Sequence, residues 1–210
     1  MIKQVIFDFD GTLANTIDTI IEIANQYAEE FGYEQITKKN ILNIQNLDSQ
    51  KIIKTSNIPL VKIPILLHLV KNELHNNIDN IQPISGLDEV VKNLKKMGFQ
   101  LGIVSSNSPE NINRFITNNN WNHLFEIVCC GTTIFGKAKI LRKLLRTENI
   151  SAEEVIYLGD ETRDIDAAKQ VNIPAIAVTW GFNSRSVLAK HNPDFLIDRP
   201  DEIIDVISQL

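Results

Sequence analysis

Short apolar runs rich in Val and Ile recur along the chain, each bounded by turn residues and followed by a stretch of helical periodicity. The runs cover residues 3–9, 99–105, 126–130, 155–158, 175–179 and 195–197. They are continuously apolar rather than alternating, as expected of strands buried on both faces of a parallel sheet. Helical patterns follow at 87–97, 110–118, 137–146, 163–171, 185–190 and 201–209. Strand and helix in regular alternation predict an α/β fold, a doubly wound Rossmann-like parallel sheet.

One interval breaks the alternation. From Thr16 to Gln82 the spacing of Ile20, Ile21, Ile23, Ala24, Tyr27 and Phe31 is helical, and no run reads as a strand. Pro59 and Pro64 divide this interval, and Gln82-Pro83-Ile84-Ser85-Gly86 reads as a return linker. The expected organisation is an α/β core made of residues 1–15 and 83–210, with an all-helical domain inserted at 16–82. No internal repeat or low-complexity tract modifies it.

Composition narrows the function classes. With 210 residues, 43% hydrophobic and 22% charged, the chain can bury a sizeable core, and its net charge of −5 argues against nucleic acid as the main partner. The first apolar run is too short for a signal peptide and none approaches membrane-spanning length, so a cytoplasmic protein without a membrane partner is expected. The adjacent Cys129 and Cys130 end a strand, point to opposite faces and read as reduced core residues. His68, His75, His123 and His191 have no zinc-site spacing. Neither a G-x-x-x-x-G-K-[ST] loop nor a G-x-G-x-x-G fingerprint occurs, which removes nucleoside triphosphates and dinucleotides as expected ligands.

Chemistry concentrates at strand ends. Asp8-Phe9-Asp10-Gly11-Thr12 follows the first apolar run, where carboxylates two residues apart project to one side and the glycine permits a sharp turn. The second carboxylate-bearing segment, Gly159-Asp160-Glu161-Thr162-Arg163-Asp164, joins a strand to a helix; Asp160 or Thr162 could cap that helix, with Glu161 and Asp164 favouring its dipole. Between them, Leu101 to Val104 lead into Ser105-Ser106-Asn107, with Ser108-Pro109 starting a helix. Capping accounts for Ser108, whereas Ser105 suits a phosphate oxygen. Capping does not explain acids and hydroxyls on three strands at the rim where open α/β sheets bind ligands. Asp8, Asp10 and Asp160 together would repel one another without a cation, and all-oxygen ligation suits Mg2+ better than Zn2+.

In this order and context the motifs resemble those of the haloacid dehalogenase (HAD) superfamily, in the branch of phosphoglycolate phosphatase and β-phosphoglucomutase with a helical C1-type cap. The resemblance spans Asp8 to Asp164. It implies that Asp8 is the nucleophile, Asp10 the general acid and base, Ser105 the strand-end hydroxyl, and Asp160 and Asp164 the acids of the GD-x-x-x-D motif. The family lysine falls in Phe135-Gly136-Lys137-Ala138-Lys139. Lys137 is the choice because it follows Gly at the helix start, with Lys139 the alternative since the K-P-x-P sequence of phosphoglycolate phosphatase relatives is absent.

The implied enzyme is a Mg2+-dependent phosphatase acting on a small phosphorylated metabolite, with phosphoglycolate the leading substrate. Asp8, Asp160 and the Asp10 carbonyl would hold the metal. Gly11, Thr12, Ser106 and Asn107 would bind phosphate, and Asp164 would orient the lysine or support the metal. Cap contacts are poorly legible: Lys51, Lys54 and Lys62 are available, but a solvated helix face is the better explanation of them. Thr179 to Asn183 reads as a packing or substrate-rim loop. Two competing readings stand beside the phosphatase: a phosphomutase, which keeps every motif, and a catalytically silent or phospho-signalling Mg2+-binding protein. In a signalling receiver, however, the acceptor Asp follows a later strand than the acidic pair and no helical cap interrupts the first connection. Asp10 argues against a dehalogenase, which lacks that second acid.

Overall fold

A computed structural model describes residues 1–131 and 136–210; Phe135, quoted above beside Gly136 and Lys137, lies outside them. Six strands, β1 (Gln4–Phe7), β2 (Gln100–Ser105), β3 (Phe125–Cys130), β4 (Val155–Gly159), β5 (Ala175–Val178) and β6 (Phe195–Ile197), form one parallel sheet in the order β3-β2-β1-β4-β5-β6. The order reverses beside β1, and such a switch point opens a crevice at the carboxyl ends of the strands. The protein therefore has a Rossmann-like α/β core.

Alternate residues of each strand are buried on opposite faces, which explains the unbroken apolar runs. Val5 and Phe7 join Leu101, Ile103, Ile156 and Leu158 under α6 (Leu87–Lys96), α7 (Pro109–Asn118) and α11 (Glu202–Ile207). Ile6, Val104 and Tyr157 face the other way, under α8 (Lys137–Thr147) and α9 (Thr162–Lys169). A short α10 (Arg185–Lys190) precedes β6.

Between β1 and α6 runs the inserted helical cap: α1 (Ile17–Gln26), α2 (Ala28–Phe31), α3 (Ile41–Gln45), α4 (Ser49–Thr55) and α5 (Ile63–Asn77), with 3-10 turns at Leu60–Lys62 and Ile78–Asn80. Ile23, Phe31, Leu66 and Leu74 are buried, whereas α3 and α4 bury none of their residues. Among the described residues no single helix is long and apolar enough to cross a membrane, although α4 and α5, bent by 115°, reach that length together. The two cysteines are free and half-buried; Cys130 packs against one core cluster and Cys129 against the other, as opposite strand faces require.

Candidate active site

β1 is shorter than its apolar run suggests: it stops at Phe7, so Asp8 and Asp10 do not share a strand. The Asp8 amide still donates to the Leu158 carbonyl at 2.8 Å, pinning Asp8 against the end of β4. The chain then turns tightly, with the Phe9 carbonyl accepting from the amides of Leu13 and Ala14. Gly11 makes the turn possible at φ +75°, and a Cβ there would collide with the Asp160 carboxylate. The two acids consequently meet different partners.

Asp8 is buried and forms a 2.7 Å ion pair with Lys137 Nζ, which also donates to Asp164. Lys137 is the first residue of α8 and is 2% exposed, whereas Lys139 is exposed. Burial alone would drive Lys137 towards neutrality, but Asp164 and Asp8 override it and hold its pKa above the ordinary lysine value. Burial pushes the Asp8 carboxyl up to about 7, against the pull of Lys137.

Asp160 is fully buried beside this pair. Its Oδ1 accepts from Thr12 Oγ1 at 2.6 Å and its Oδ2 from the Phe182 amide at 2.7 Å. Desolvation, reinforced by Asp8 and other acids, raises its pKa well above the ordinary carboxylate value. Capping of α9 does not need Asp160 or Thr162: the N-cap is Glu161, in a reciprocal box with Asp164, whose Oδ2 accepts the Glu161 amide at 3.0 Å. Asp164 Oδ1 accepts from Lys137 and from the Tyr157 hydroxyl, so this acid is occupied in holding the lysine.

Oxygens of Asp8, Asp160 and Asp164 lie within 4.8 Å of one another, close enough to share one cation. Three buried carboxylates around one lysine carry surplus negative charge, and an all-oxygen donor set suits a hard divalent ion. The Asp10 carboxylate stands apart, accepting from Asn107 Nδ2 at 3.0 and 3.1 Å. Burial raises its pKa, opposed in part by that amide. Ser105 is fully buried at the end of β2; its Oγ accepts the Asn107 amide at 3.0 Å, leaving its own proton to donate elsewhere. Ser108 caps α7 by accepting from the Asn111 amide. Ser106 and Asn107 line a cleft of ≈ 960 Å³ between core and cap.

Several contributors escaped the sequence reading. Pro64, Leu67, His68 and Lys71 line the cleft together. Their spacing is that of one helical face, so a lysine within that stripe was the readable signal. Burial lowers the Lys71 pKa while Asp10 raises it, which places its charge near the site. Of the lysines considered from sequence, Lys54 lines the cleft, Lys51 pairs with Asp48 and Lys62 lies over the Phe31 ring. The loop at 179–183 supports Asp160: besides the Phe182 amide, Trp180 Nε1 donates to the Thr12 carbonyl and Asn183 Oδ1 accepts from the Thr162 amide. Gly181 sits so close to Asp160 that a Cβ would overlap its carboxylate.

A switch-point rim carrying a lysine-paired aspartate and two further buried acids defines an enzyme of the haloacid dehalogenase type. The family model described as haloacid dehalogenase-like hydrolase matches residues 5–178, and the chain belongs to that family. A phosphoglycolate phosphatase of Synechococcus elongatus is 36% identical over 208 residues, covering 99% of this chain and 98% of the relative. A pyrophosphatase PpaX of Bacillus mycoides is 23% identical over 216 residues, covering 100% and 98%. Among solved structures, a haloacid dehalogenase-like family hydrolase from Streptococcus pneumoniae superposes with a TM-score of 0.80 at 22% identity, covering 98% of both chains. The chain is a phosphatase of this family.

Proposed function

We propose that the protein hydrolyses a small phosphorylated metabolite through a phosphoaspartate on Asp8, with Mg2+ as cofactor and phosphoglycolate as the leading substrate. The observation that carries this reading is the buried Asp8–Lys137–Asp164 cluster beside Asp160 at the switch point. The near full-length likeness to a phosphoglycolate phosphatase supports the substrate.

Asp8, Asp160 and the Asp10 carbonyl would hold the metal, with Asp164 positioning Lys137. Mg2+ supplies charge neutralisation for the phosphoryl oxygens. An Asp8 carboxylate oxygen forms a bond to phosphorus while the bond to the leaving oxygen breaks, and Asp10 donates its proton to that oxygen. Asp10 then takes a proton from the water that cleaves the acyl phosphate, releasing phosphate and regenerating Asp8. The raised pKa of Asp10 suits a group that must be protonated in the first half and basic in the second. Lys137 and Ser105 stabilise phosphoryl charge, helped by groups of Gly11, Thr12, Ser106 and Asn107. Residues 16–82 act as the cap over a core of 1–15 and 83–210, excluding water during transfer.

The test is phosphate release from phosphoglycolate, pyrophosphate and an aryl phosphate, with Mg2+ or chelator, for wild type and Asp8→Asn. Release that requires both Mg2+ and Asp8, and falls by about a thousandfold or more in the variant, is expected. No release from any ester would overturn the reading. Conversion to an isomeric phosphoester without free phosphate would replace it by a mutase.

A further inference from the structure

Asn111, in the first turn of α7, is fully buried and polar, and such a residue is costly inside a helix unless each polar atom is matched. Here each is. Nδ2 donates to Asn107 Oδ1 at 2.9 Å and to the Lys71 carbonyl at 3.3 Å, while Oδ1 faces His75 Nδ1 at 2.7 Å. Reversing the amide would set its oxygen against two acceptors. The orientation is therefore determined, and His75 must carry its proton on Nδ1.

The same reasoning passes to the next side chain. Asn107 Oδ1 accepts from both the Ser108 amide, at 2.7 Å, and Asn111, which forces its Nδ2 towards the two oxygens of Asp10. Lys71 and His75 stand four residues apart on one face of α5, so both cap groups that orient Asn111 come from a single helix face.

We propose that Asn111 is a positioning residue that joins the seating of cap helix α5 to the orientation of Asp10, through the continuous relay His75–Asn111–Asn107–Asp10. With α5 seated, every amide in the chain has one satisfactory orientation, and the last one presents its N–H groups to Asp10. When α5 shifts, Asn111 loses the partners that fix it, Asn107 Oδ1 keeps only the Ser108 amide of its two donors, and the hold of Asn107 Nδ2 on Asp10 loosens. Each link polarises the next, so the chain acts as a unit. The kinetic consequence rests on the role proposed above for Asp10; the structural coupling does not.

The experiment uses the full chain with His75→Ala, His75→Gln, Asn111→Ala and the His75→Ala/Asn111→Ala double variant. His75 is exposed, so its replacement opens no core. The side-chain amide resonances of Asn107, followed by 15N NMR, should shift or broaden in His75→Ala although His75 hydrogen-bonds to Asn111 and not to Asn107. With the best phosphoester, kcat should fall about tenfold in His75→Ala with KM within about twofold. His75→Gln, which keeps a donor, should recover kcat to within about threefold of wild type, and the double variant should be no slower than Asn111→Ala. An unperturbed Asn107 amide in His75→Ala, or multiplying kinetic losses in the double variant, overturns the relay. A wild type without turnover defeats the phosphatase reading alone, because the Asn107 resonance still decides the coupling.

Discussion

The sheet rim and the cap solve opposite problems with the same chain. At the rim three acids are buried and held: Asp8 by Lys137, Asp160 by Thr12 and Phe182, Asp164 by Glu161, Tyr157 and Lys137. In the cap, α3 and α4 bury nothing, and Leu42, Leu60, Val61 and Ile65 are large apolar side chains left in solvent. The rim stores unfavourable electrostatics inside a rigid frame, so its substitutions should act on stability and chemistry together. The cap edge is weakly packed and faces the cleft, so its substitutions should act on substrate handling with little effect on stability.

The strongest way to break that contrast is Lys137→Met. It leaves Asp8 and Asp164 buried without their cation, and losing one partner of a buried ion pair costs about 3 kcal/mol or more. Urea unfolding in chelator should report that loss, with phosphate release abolished. A change below about 1 kcal/mol would mean that the rim is not under the strain described.

Asp160→Asn should act in the opposite direction. A carboxyl whose folded pKa is raised adds stability below its ordinary value of 3.8 and loses it as pH rises through the folded value. Asp8, raised to about 7, and Asp160, raised well above the ordinary value, should therefore make the chelated protein less stable as pH climbs from weakly acidic to neutral. Asparagine keeps an acceptor for the Phe182 amide and can donate to Thr12, while removing the charge. In chelator near neutral pH the variant should be more stable than wild type by on the order of 1 kcal/mol, with the gap closing towards acid pH. Added Mg2+ should raise the melting temperature of wild type and not of the variant. A variant that melts below wild type in chelator would show that Asp160 is held favourably without a cation.

The α/β core was legible because parallel strands buried on both faces leave continuous apolar runs, and six such runs became six strands. The rim positions were legible because strand ends gather at one edge whatever the details of packing. What could not be read is where each acid points. A strand through Asp8 and Asp10 would have aimed them alike, but the chain leaves the sheet after Phe7 and sends Asp10 to Asn107, a partner 97 residues away. The capping of α9 that the sequence leaves open to Asp160 or Thr162 belongs to Glu161, because Asp164 can return the bond. The 179–183 loop and the His75–Asn111 contact depend on tertiary approach, for which local periodicity carries no signal. Lys71 is the intermediate case: its helical stripe is visible, but its proximity to Asp10 is a property of how α5 lies on the core.

The smallest expected effect is the sharpest test of the cap. Leu60 is 72% exposed, sits in the turn before α5 and forms part of the cleft wall. An exposed side chain outside any packed cluster contributes little to folding, so Leu60→Ser should change unfolding free energy by no more than about 0.5 kcal/mol. Its apolar surface can matter only where something covers it, which in this position is a substrate or the closing core. Losing that contact should raise KM by about threefold and leave kcat nearly unchanged, because the residue belongs to the cap and not to the acid cluster at the sheet rim. Stability and KM are separate measurements with opposite expectations. A clear loss of stability with unchanged KM would place Leu60 inside a packed cap, and the distinction between a rigid rim and a loosely packed lid edge would fail.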